Sequence, residues 1–244
     1  MIAIYGAHDQ QKELMSKFKQ LSETGAVPAK AKTPGHKDGW GILTYDKGKP
    51  RYLGREPSDP FNGSGYDHAI GEIGEIQPQI ILGHLRKASC GEHSIENTQP
   101  FLNSKWSFAH NGTIYSPGLK RIADENDSRA YFRTLLDTVR NPNIESALVT
   151  TMKKLRHDIT LNSDATGQTY SSLTFLLTDG IAIYALRDFS DETERDYYTM
   201  YYRLFQNGIV FCQQKIIDGE WEEIPNKTLA AYHPDEGVKT IPCN

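Results

Sequence analysis

Cysteine is scarce in this chain of 244 residues: Cys90, Cys212 and Cys243 are the only three, an odd number spread far apart. That spacing excludes a disulfide framework and points to a reducing compartment, the cytoplasm by default. Long apolar runs are missing as well. Stretches such as Ile80–Leu82 and Leu173–Leu177 fall far short of the roughly 20 residues needed to cross a bilayer. The opening Met1-Ile2-Ala3-Ile4-Tyr5-Gly6 has no basic region and no apolar segment of signal length, so neither a membrane span nor an export signal is expected. Positive charge is not in excess. A net charge of −4 gives no electrostatic footprint for nucleic acid or an anionic membrane. The histidines His36, His84, His93 and His110 show no H-x-x-x-H or carboxylate spacing, so no metal and no cofactor is expected. A phosphate-binding G-x-G-x-x-G and a G-x-S-x-G nucleophile turn are also absent.

What remains is an ordinary globular balance, with 38% hydrophobic and 24% charged residues, in a length that buries a substantial core. A short apolar strand occupies Ile2–Ala7. Asp9 is placed to cap the helix that follows, where Leu14, Phe18 and Leu21 recur near helical spacing. Gly39–Tyr45 and Arg51–Gly54 form a hairpin about the turn Asp46-Lys47-Gly48. A short helix is expected at Asp67–Ile76, a buried strand at Ile80–Leu85 and another strand at Trp106–His110. Asp127 caps a helix to about Arg140, and a second helix covers Asn143–Arg156. The last third is rich in strands: Ser172–Leu177, Ile181–Arg187, Gly208–Gln213, Glu220–Glu223 and Leu229–Tyr232. With no internal repeat or linker, residues 1–244 read as one α+β domain of two sheets with outer helices, rather than a parallel doubly wound sheet.

Four polar clusters interrupt this pattern. They are Gly35-His36-Lys37-Asp38-Gly39-Trp40-Gly41, Gly83-His84-Leu85-Arg86-Lys87-Ala88-Ser89, Glu96-Asn97-Thr98-Gln99-Pro100-Phe101, and Phe108-Ala109-His110-Asn111-Gly112 followed by Asp127-Ser128. Taken singly, each has an ordinary reading. The glycines make a tight turn, Arg86 is a salt-bridged strand end, Asn111-Gly112 is a hairpin turn and Asp127 is a helix cap.

Taken in order, the clusters resemble those of the class II glutamine amidotransferases, of the N-terminal nucleophile hydrolase superfamily. The resemblance runs nearly end to end. It is closest to the small free-standing members, including those similar to ergothioneine-pathway γ-glutamyl hydrolases. It implies a four-layer α/β/β/α sandwich of two antiparallel sheets. By the same resemblance Arg86 would grip the substrate α-carboxylate and Asp127 its α-ammonium. Asn111 and Gly112 would form the oxyanion hole, and Trp40 and Gly39 would line the substrate pocket. The ligand would be glutamine or a γ-glutamyl small molecule. No synthase portion is recognised, so any ammonia acceptor would sit on a synthase or other partner chain.

One position departs from the family. Its reaction begins with an N-terminal cysteine whose thiolate attacks the amide and whose own α-amine is the base. Counting back from Gly6 puts Ile2 in that place. Isoleucine carries no nucleophile, and a bulky second residue generally blocks removal of Met1. The expectation is therefore a binding protein without efficient amide hydrolysis. The alternative is an active amidotransferase, glutaminase or γ-glutamyl hydrolase that uses an unexpected nucleophile such as Cys90.

Overall fold

The computed structural model describes residues 1–244 apart from 32, 89–92, 123–124, 164–166 and 168. Its first strand, β1 (Ile2–Gly6), lies between two antiparallel neighbours, pairing Ile2 with Gly83 on one side and with Cys212 on the other. α1 (His8–Thr24) buries Leu14, Met15 and Phe18 along one face. Its cap differs from expectation. Ala7, in the left-handed region at φ 51, takes the capping position without a side-chain bond, and Asp9 sits two residues further on, in the first turn. A carboxylate there still complements the positive end of the helix dipole.

β2 (Trp40–Asp46) and β3 (Lys49–Glu56) form the expected hairpin, and α2 (Gly65–Ile76) and β4 (Ile80–Leu85) follow. β5 (Phe101–Asn103) pairs with β6 (Trp106–Asn111), then come α3 (Asp127–Thr138) and α4 (Ile144–Leu161). The cap of α3 is Asn126, whose side chain accepts from the Arg129 N–H, so Asp127 is not the cap but the first helical residue. The chain closes through β7 (Thr174–Thr178), β8 (Ile183–Arg187), β9 (Tyr201–Phe205), β10 (Gly208–Cys212), β11 (Glu222–Glu223), β12 (Thr228–His233) and β13 (Gly237–Pro242).

These strands form a seven-stranded sheet, ordered β11-β9-β10-β1-β4-β2-β3, and a six-stranded sheet, ordered β13-β12-β8-β7-β6-β5. The strand pairings described within both are antiparallel. Three apolar clusters separate four layers. Ile2, Ile4, Trp40, Ile42 and Ile81 pack outward against α1 and α2. Ala3, Leu43, Tyr45, Leu82 and Phe211 face Ala109, Leu176, Ala185 and Ala230 across the gap between the sheets. Phe108, Phe175 and Tyr184 pack outward against α3 and α4. The period-2 alternation of a strand produces this division, because each strand covers one layer with its odd residues and the other with its even ones. The α/β/β/α sandwich implied by the resemblance is therefore the fold observed. Among the described residues no helix is long and apolar enough to cross a membrane.

Candidate functional site

A cavity opens where β1 begins and β4 and β6 end. Its volume is about 90 Å³, and Arg86, Asn111, Gly112 and Asp127 all line it. Three separate parts of the chain thus bring their chemistry to one space.

Arg86 follows directly on β4 and is buried, 7% exposed. Its backbone extends the sheet by one step, donating to the Gly39 carbonyl at 2.8 Å and accepting from the Asp38 N–H at 3.0 Å. Asp38 also accepts from the Ala88 N–H at 2.8 Å through its carboxylate, which fixes where the chain goes after the arginine. On the facing sheet, Asn111 ends β6 and its Oδ1 accepts from the Tyr197 hydroxyl at 3.1 Å. Gly112 has φ 155, and a Cβ there would lie 2.0 Å from the Ser172 carbonyl oxygen, so no larger residue fits that backbone. Asp127, 7% exposed, accepts from the Ile114 N–H at 2.8 Å through Oδ2.

Around these lies a neutral, hydrogen-bonded frame. Gln99 brackets the His110 backbone, its Oε1 accepting from the His110 N–H at 2.6 Å and its Nε2 donating to the His110 carbonyl at 3.3 Å. The His110 ring has Nε2 3.0 Å from the Ser172 carbonyl, which can only accept, so Nε2 carries the proton. Nδ1 is then the acceptor, and the Ser128 hydroxyl donates to it at 2.9 Å. Burial lowers the His110 pKa, with the Asp127 carboxylate opposing it, and burial lowers that of His84 well below the ordinary value. His36, whose Nε2 bonds to the Ala26 carbonyl at 2.9 Å, is pushed down to about 4, mainly by burial. These three imidazoles are accordingly neutral near pH 7. His84 Nδ1 and Gln213 Nε2 are buried and have no hydrogen-bond partner among the described residues, which leaves them available to a polar occupant.

Several placements differ from the sequence reading. Trp40 does not line the cavity. As the first residue of β2 it shares the outward face with Ile42, 1% exposed, with its ring 5.0 Å from Tyr66 in an edge contact and its rim over Gly54. Gly39 is not part of the wall either. It acts through its backbone, as the partner of Arg86. Ile2 faces outward too, fully buried over Gly83 and beside α1, and it is Met1, just before the strand, that reaches the cavity. The Met1 nitrogen, held down to about 6 by burial, donates to Gln213 Oε1 at 3.1 Å. Cys212 lies in the outward layer with Ile2, and Cys243 packs in the far layer. Among the described residues no cysteine lines the cavity. Cys90 and Ser89 lie outside the described residues. Nothing local in the sequence marks Tyr197 and Gln213; only the pairing of β1 with β10 and the return of the chain past β6 bring them here. Among the described residues no group of His, Cys, Asp and Glu could hold a metal ion.

The sequence matches the model of the family described as "Glutamine amidotransferases class-II" over residues 14–203. The chain belongs to the class II glutamine amidotransferases. It is similar to the Escherichia coli (strain K12) protein YafJ, 34% identical over 128 residues, which cover 48% of this chain and 48% of YafJ. The match thus spans about half the length of that relative. Among solved structures, the fold is similar to a glutamine aminotransferase class-II domain protein from Silicibacter pomeroyi, with TM-score 0.65 and 17% identity, covering 99% of this chain and 97% of that one. It is also similar to an allosteric regulatory enzyme of purine biosynthesis, with TM-score 0.69 and 15% identity, covering 100% of this chain and 48% of that one. Both likenesses concern the fold alone.

Proposed function

We propose that this chain binds glutamine, or a γ-glutamyl compound, in the cavity between its sheets and hydrolyses the amide slowly or not at all. The observation that carries the reading is the convergence of Arg86, Asp127, Asn111 and Gly112 on one small cavity. A guanidinium holds a carboxylate through two parallel hydrogen bonds, a geometry suited to the substrate α-carboxylate. Asp127 keeps one carboxylate oxygen on the Ile114 N–H and leaves the other for an α-ammonium. The Asn111 amide and the Gly112 N–H supply two donors to the side-chain carbonyl, the pair that would stabilise an oxyanion if one formed.

Against turnover stands the start of β1. Neither Met1 nor Ile2 carries a hydroxyl or thiol to attack the amide, and Ile2 points away from the cavity altogether. Oxyanion donors alone leave a small residual rate over the uncatalysed reaction.

One observation favours a second reading, an active amidase. Ser128 is a cavity-lining hydroxyl that already donates to an imidazole nitrogen, the first step of a serine nucleophile's activation. The same burial that keeps His110 neutral also makes it a poor proton acceptor, so the binding reading is preferred.

Ligand-observed proton NMR with L-glutamine separates the two. Saturation transfer without glutamate supports a binding protein. Glutamate accumulating above a protein-free control supports the amidase, and peptide mapping of an adduct with a glutamine-like electrophile would then locate its nucleophile. No saturation transfer at millimolar glutamine removes glutamine as the ligand.

A further inference from the structure

The cavity continues past Asn111 and Gly112. Beyond them lies an outer cleft of about 400 Å³, walled by Tyr197 and Tyr198 on one side and by Pro28, Lys30 and Ala31 on another. Asn111, Gly112, Lys87, Ala88 and Tyr197 line both spaces, whereas Arg86 and Asp127 line only the inner one. A glutamyl group held at its α-end by Arg86 and Asp127, with its side-chain carbonyl at Asn111 and Gly112, therefore turns its γ-nitrogen toward the outer cleft. This step rests on the reading of the inner cavity given above.

The chemistry of the cleft is distinct. Tyr197 and Tyr198 meet edge to face with ring centroids 4.7 Å apart, which gives an apolar wall for a short organic body. Lys30 and Lys87 are the charged residues among its described lining, and no carboxylate lines it. The Lys87 ammonium donates to the Thr33 carbonyl at 3.1 Å and to the Thr33 hydroxyl at 3.4 Å, both neutral partners. Of the nearby acids, Glu194 accepts from the Ala29 N–H through both carboxylate oxygens, at 3.1 and 3.0 Å. Asp191 accepts from the Thr193 N–H and hydroxyl at 2.9 and 2.7 Å. Among the described residues neither lysine has a carboxylate within 4.0 Å.

We propose that the outer cleft holds the γ-substituent of a γ-glutamyl compound, and that this substituent ends in an anionic group seated between Lys30 and Lys87. Free glutamine carries only a primary amide at that point and would leave the cleft to water. A γ-glutamyl amino acid places a short body along the tyrosine wall and its own carboxylate at the two ammonium groups.

Calorimetric titration of the full chain with L-glutamine, γ-glutamylglycine and γ-glutamyl methylamide tests this. The last two differ in the terminal carboxylate. γ-Glutamylglycine is expected to bind roughly tenfold more tightly than the methylamide, and the ratio is expected to fall toward one when Lys30→Ala and Lys87→Ala are combined. Taking the ratio within each variant removes any general loss of binding. Equal affinities in the unaltered chain, or a preference that survives both substitutions, would overturn the proposal while leaving the inner site standing if glutamine and the methylamide still bind. Failure of all three ligands would overturn both readings.

Discussion

The Tyr197 hydroxyl donates to Oδ1 of Asn111 at 3.1 Å, and in doing so it decides which end of that carboxamide faces the cavity. With its oxygen engaged, the amide presents its N–H₂ to whatever occupies the site. Burial raises the Tyr197 pKa, so the phenol stays a donor across the working range. Tyr197 is thus a positioning residue for Asn111. Tyr197→Phe is expected to weaken L-glutamine binding about 5–10-fold, the loss of one hydrogen bond of roughly 1 kcal/mol. L-Norvaline has the same α-groups but no side-chain carbonyl, so its affinity should not change. Parallel titrations of both ligands check this, and equal losses for the two would point to a packing defect instead.

Arg86 makes a separable contribution. Arg86→Lys keeps the charge but loses the planar pair of donors, and glutamine affinity is expected to fall about 10–100-fold. L-Glutaminamide, which lacks the α-carboxylate, should respond far less to the substitution. A matching loss for both ligands would place the carboxylate elsewhere.

Gly112→Ala addresses the backbone. The added methyl meets the Ser172 carbonyl at 2.0 Å in a φ region that alanine avoids. We expect a stability loss of about 2–4 kcal/mol together with displacement of Asn111. Urea unfolding measures the first and glutamine titration the second. An unchanged midpoint would mean that the turn relaxes freely.

The buried imidazoles set the pH dependence. His36, His84 and His110 have folded pKa values below the unfolded value near 6.5, that of His36 at about 4. Between those limits the unfolded chain binds more protons than the folded one, so the imidazoles' contribution to stability is full above pH 6.5 and is lost as the pH falls toward 4. His36→Gln, which keeps a donor for the Ala26 carbonyl, should flatten part of that decline. Thermal unfolding followed across pH 4–7 is the check, and a midpoint that rises on acidification would contradict the assignment.

Much of this fold can be read in the sequence because its elements follow strong local periodicities. The apolar runs of β1 and β4, the turn between β2 and β3, and the spacing of Leu14 and Phe18 in α1 all lie where the pattern places them. β5, β9 and β13 escape notice. The first has three residues, and exposed or polar positions dilute the apolar signal of the other two. Within the site, Arg86, Asn111, Gly112 and Asp127 are legible as an ordered set of motifs, and they share one cavity. Trp40 misleads because it is adjacent in sequence to the Gly35–Gly39 turn, while strand alternation turns its ring to the outer layer. The same alternation sends Ile2 outward and brings Met1 to the cavity, a distinction that counting residues along the chain cannot make. Tyr197 and Gln213 reach the site through tertiary contacts alone.

The central claim is that one cavity holds a glutamyl group by both ends. A crystal structure of the protein soaked with L-glutamine tests it most directly. The expected map shows the α-carboxylate on Arg86, the α-ammonium on Asp127 and the side-chain carbonyl between the Asn111 amide and the Gly112 N–H, with the amide intact. Glutamine bound in the opposite sense, or an empty cavity at millimolar ligand, would contradict the account.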